Sequence, residues 1–69
     1  MHRHREWWER ALLRAIARLE AAAQAARESA ERAQRLGNAD HRARFEALAR
    51  DIQARAEVLT TELARLRQS

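Results

Sequence analysis

Apolar residues recur through the second half of the chain at Phe45, Ala49, Ile52, Ala56, Leu59, Leu63 and Leu66, in alternating steps of four and three. That rhythm marks the apolar seam of a helix packed along another helix. The first half keeps it through Trp8, Leu12, Ala15, Leu19, Ala22, Ala26, Ser29, Ala33 and Leu36. Between the two runs lies RLGNAD, which holds the only glycine, Gly37, in a chain without proline. Glycine suits the left-handed position that ends a helix, and Asn38 or Asp40 can cap the next one. Alanine, leucine, glutamate, glutamine and arginine, all strong helix formers, dominate both flanks. The pattern predicts one domain, 1–69, with a first helix over about 5–36, a turn at 37–40 and a second helix over about 40–67.

Folding the chain back at the turn gives facing residues a constant sum of numbers. A sum of 78 pairs Ala33 with Phe45, Ala26 with Ile52, Leu19 with Leu59 and Leu12 with Leu66, with Ala22 against Ala56 at mid-length. Large residues then mostly meet small ones or leucines toward the helix ends, as close packing requires. Acid-before-arginine spacings of four residues recur at Glu6/Arg10, Glu28/Arg32, Glu31/Arg35, Asp40/Arg44, Glu46/Arg50 and Asp51/Arg55, the favourable order on a helix. Ile16, Ala23 and Ala30 form a stripe beside the first seam, Leu48 flanks the second, and Trp8 would face a position just past Ser69. The expected fold is therefore all-α, an antiparallel two-helix hairpin (a helical coiled-coil hairpin). Trp8, Ile16, Ala23, Ala30 and Leu48 are the expected interface through which it pairs into a dimeric four-helix bundle.

Composition strengthens the expectation of a partner. Alanine accounts for 17 of the apolar residues, which leaves only 15 larger ones in 69. So few large side chains are a thin offset to the entropy of ordering two long helices. A homo-oligomer, with a dimer favoured, or another helical protein would supply the missing core. With no cysteine, a reducing cytoplasm is the expected compartment. No apolar run approaches the length of a membrane span, and no apolar stretch near the N-terminus suits a signal peptide. All 14 basic residues are arginine. That bias is what a high-GC genome gives, and equally what a design procedure gives.

Candidate chemistry is sparse, and no cofactor motif is present. His2 and His4 would share a side only in an extended arm, and His41 lies at the far end of the hairpin, so no metal site is expected. Glu6, Glu9 and Glu62 fall near the open end among arginines, where carboxylates are normally paired and solvated. Two thin helices also make no substrate-sized cavity, and a non-enzyme is expected. The stronger signal is basic. Arg10, Arg14 and Arg18 step along the first helix, Arg3 and Trp7 extend that side, and Arg65 and Arg67 return to the same end. Arginine beside an exposed aromatic suits phosphates and unstacked bases, so this set is the expected face for an acidic partner or nucleic acid. The stretch HREWWERALLRAIARL is amphipathic like an interfacial anchor. Its leucines are claimed by the seam and its glutamates would face anionic lipid, so membrane contact is not expected.

The layout of two helices and a short turn at Gly37–Asp40 resembles the repressor-of-primer proteins of plasmids, which are dimeric four-helix bundles that bind paired RNA loops. It is similar as well to helical-hairpin arms of synthetases. Both likenesses rest on architecture and carry over no functional residue. The reading is a structural or protein-interaction module that self-associates, with a small nucleic-acid-binding regulator as the alternative.

Overall fold

The computed structural model describes residues 2–68, with side chains from 5 to 68. Two helices, α1 (His2–Arg35) and α2 (Ala39–Gln68), fold back on each other into a rod of 54 × 14 × 10 Å. All the described structure outside the turn is helical.

The turn forms as its residues demand. Gly37 takes φ 72°, the left-handed region that a Cβ disfavours. The Asn38 amide donates to the Ala33 carbonyl at 2.8 Å and the Gly37 amide to that of Gln34 at 3.0 Å, the paired bonds of a Schellman ending. Asn38 then caps α2. Its Oδ1 accepts the His41 amide at 3.1 Å, and its carbonyl accepts the first helical bond, from Arg42. Asp40 sits in the first turn of α2, while Arg32 and Arg35 in α1 and Arg65 and Arg67 in α2 occupy last turns, each sign at its favoured helix end.

The seam of α2 follows the sequence pattern. Ala49, Ala56 and Leu63 are buried, and Phe45, Ile52, Leu59 and Leu66 are half-buried. In α1 the seam is rotated from the expected one. Leu12, Leu19, Ala26 and Ala33 stay inside, but the alternate line runs through Glu9, Ile16, Ala23 and Ala30 instead of Trp8, Ala15, Ala22, Ser29 and Leu36. Ala23 is fully buried and Ala56 is 2% exposed, while Ala22 is exposed, which overturns the expected Ala22/Ala56 layer. Ile16, Ala23 and Ala30 are thus core residues of the hairpin and do not form a free stripe. The physical reason is burial. The rotated line takes in Ile16 where the expected one offers Ala15, and it keeps the Ser29 hydroxyl at the seam's edge. Among the pairs expected from the constant sum, Leu12 and Leu66 line one groove, and Ala33 and Phe45 line another.

In heptad letters, position a of α1 is Glu9, Ile16, Ala23 and Ala30, and d is Arg5, Leu12, Leu19, Ala26 and Ala33. In α2, a is Arg42, Ala49, Ala56 and Leu63, and d is Phe45, Ile52, Leu59 and Leu66. The apolar residues at position a, Ile16, Ala23, Ala30, Ala49, Ala56 and Leu63, are buried, Glu9 and Arg42 at its ends are half-buried, and the large d residues are only half covered.

Candidate functional site

The open end is closed by charge. Arg5 and Glu9 continue the α1 seam where apolar residues run out. The Arg5 Nη2 donates to the backbone carbonyl of Arg67 at 2.7 Å, and the Glu9 carboxylate lies 3.9 Å from both Arg5 and Arg67. Arg5 is a poor resident for the N-terminus of its own helix, where the dipole is positive. The antiparallel fold sets it beside the C-terminus of α2, where a cation and a donor are both favoured. Sequence reasoning missed this clamp. The available signal was the line Leu12–Glu9–Arg5, one turn apart at each step, leading into the end of α2.

The tryptophans do not plug that end. Their rings meet edge to face at 5.0 Å, and in the single chain Trp7 and Trp8 are 54% and 53% exposed. They nevertheless point to different sides. Trp7 shares the outermost position, f, with Arg14, whereas Trp8 occupies g and lines a groove of about 340 Å³ with Leu12, Glu62 and Leu66. A second groove, of about 250 Å³, lies on the same side at the turn, between Ala33, Leu36 and Phe45. Between them this side carries the half-buried d residues of both helices and the exposed Leu48. The opposite side carries Arg27, Glu46, Arg50, Gln53 and Glu57 around a shallow depression, with Leu13 exposed nearer the open end. The more apolar side of the hairpin is thus the one made of positions d and g. Of the expected interface residues, Trp8 and Leu48 lie on it, and Ile16, Ala23 and Ala30 are inside the hairpin.

The expected basic face is only partly assembled. Arg10, Arg14 and Arg18 are exposed, and their guanidinium groups have no partner among the described residues. Arg65 and Arg67 share the open end with them but belong to α2, on the far side of the seam. They are engaged there, Arg65 with Glu62 at 3.1 Å and Arg67 with Glu9. The side chain of Arg3 lies outside the described residues, as do those of His2 and His4. His41 is tied to the turn, its Nδ1 3.0 Å from Asn38 Nδ2. No group of three potential metal ligands occurs among the described residues, and no described helix is long and apolar enough to cross a membrane.

None of the six acid-before-arginine pairs closes. The intrahelical pairs that do close are Arg5–Glu9, Arg42–Glu46 and Glu62–Arg65. Arg5, Glu9 and Arg42 are half-buried on the seam lines, where packing has already restricted the side chains. Glu62 and Arg65 close although both are exposed, so packing accounts for the other two pairs only, and an exposed pair gives up rotamer freedom for a weak attraction in water. The chain matches no protein-family model, no curated protein and no solved structure among those compared with it.

Proposed function

We propose that the chain is a structural, protein-interaction module that self-associates through the apolar side of its hairpin. The observation that carries this reading is the uneven burial of the seam. The apolar residues at position a are buried, while Leu12, Leu19, Phe45, Ile52, Leu59 and Leu66 at position d remain half open on the side that also bears Trp8 and Leu48. A contiguous apolar side of this kind is what a partner helix pair covers in a four-helix bundle. Burying it adds the large-side-chain core that a lone hairpin of this composition lacks. The carboxylates of Glu9 and Glu62 are held by arginines, which fits a binding role better than acid–base chemistry. Sedimentation is the test: it should give a dimer, with a melting temperature that rises with protein concentration. A monomer whose melting temperature is independent of concentration would overturn the reading.

One observation favours a second reading, a small nucleic-acid-binding regulator. Arg10, Arg14 and Arg18 have no acid partner among the described residues, and Trp7 stands exposed on the same outer side of α1. Phosphate contacts and base stacking would use these groups without touching the apolar side, so the two readings are compatible in one molecule.

A further inference from the structure

The apolar side has a lengthwise asymmetry that bears on how a second copy lies on it. Along position g of α1 the order is Trp8, Ala15, Ala22, Ser29, Leu36, with a large residue at each end and small ones between. Leu36 is 83% exposed at the turn, and Trp8 stands exposed at the open end. Each of them is beside a groove on that side, the Trp8–Leu12–Leu66 groove at one end and the Ala33–Phe45 groove at the other.

We infer, resting on the self-association proposed above, that two copies pair antiparallel, with the turn of each at the open end of the other and the two-fold axis level with Ala22. The partner's Leu36 then meets Trp8 and enters its groove, while Trp8 enters the partner's turn-end groove. Ser29 lies over the partner's Ala15, and Ala22 over the partner's Ala22, which lets the two copies of α1 approach closely. The same axis accounts for α2 independently. Arg5 reaches the carbonyl of Arg67 and Arg67 reaches Glu9, a stagger that brackets the level of Ala22 between Arg50 and Ala54 and admits Gln53. Rotation about that level brings Leu48 against the partner's Val58, both of them exposed in the single chain. It also brings Arg55 to the partner's Asp51 and Glu62 to the partner's Arg44, two pairs of opposite charge at the edge of the apolar side. A parallel pair with both turns at one end leaves Trp8 over the end of α2 and Leu36 over the polar start of α2, and it makes none of these matches.

The chain has no cysteine, so a single introduced thiol reports one site. Nitroxide labels on Ala39→Cys, beside the turn, should give a dipolar distance of about 42 Å between copies, from the helical rise on either side of the axis. Labels on Gln34→Cys, exposed on α1, should give about 36 Å by the same count. Two independent positions guard against one variant that folds badly. A dimer by sedimentation with both distances at or below about 20 Å, roughly two helix diameters, overturns the antiparallel arrangement and leaves self-association standing. A monomer with no dipolar coupling overturns both.

Discussion

Single residues decide which face of α1 turns inward. Ile16 and the alanines at 23 and 30 are taken in, whereas Trp8 and Leu36, though larger, are left at the ends where α2 offers little to cover them. Ala23 and Ala56 are among the least exposed residues, and both sit at mid-length, where neither helix has an end to relax. Ala23→Leu should therefore overpack the seam and lower stability by about 1–3 kcal/mol. Ala17→Leu, on the exposed outside of α1, should change it by less than about 0.5 kcal/mol. Denaturant midpoints compared at one protein concentration read the difference, and equal effects at the two positions would place the seam elsewhere. The charged residues follow the same logic. Glu9 earns its seam position by joining Arg5 to Arg67 across the open end, while the solvent-facing spacings that favour ion pairs on paper stay open.

At the scale of the elements, the turn and α2 were legible in the sequence, and the seam of α1 was not. Gly37, Asn38 and Asp40 encode a helix ending, a cap and a favoured charge within four residues, and the structure uses all three. Their physics is local, so no distant contact is needed to predict it. A Cβ at Gly37 would meet nothing within 4 Å, so the cost of a side chain there is purely one of backbone conformation. Gly37→Ala should destabilise the hairpin by about 1–2 kcal/mol, and Gly37→Asn by less, since asparagine visits the left-handed region more readily. Thermal melts at matched concentration test this, and two substitutions without effect would mean that the turn relaxes into another form. In α2 the large residues lie on one line, so its inward side is plain. In α1 alanine is spread around the helix, and two neighbouring lines have similar apolar content. Choosing between them depended on Ile16 against Ala15, on the placing of Ser29, and on the clamp at Arg5 and Glu9.

For the whole molecule, the hairpin is a rod with a more polar side, a more apolar side and an arginine-bearing outer edge. Trp7 and Trp8 are equally exposed in one chain, so assembly is what should tell them apart. In the Trp7→Phe variant the remaining Trp8 should shift its emission to shorter wavelength and resist a soluble quencher as protein concentration rises. In the Trp8→Phe variant Trp7 should show neither change. Trp8→Ala should weaken the dimer about tenfold or more, a loss of at least about 1.4 kcal/mol, while Trp7→Ala leaves it intact. If Trp7 responds only when RNA or DNA is added at low salt, the arginine side is a binding surface as well. If both rings respond to concentration alike, the partner covers more than the apolar side.

The sequence by itself determined two helices, their joint and the inward line of α2, because helix propensity, capping and apolar period act over a few residues. Only the tertiary structure decided the rotation of α1, the place of Ile16, Ala23 and Ala30 inside the hairpin, and the exposure of Trp8. It also made Arg5 a cap for the other helix. These outcomes compare whole faces of α1 against one fixed surface of α2. With alanine nearly all round α1, they turn on differences of a methyl group or two and on which helix end lies beside which.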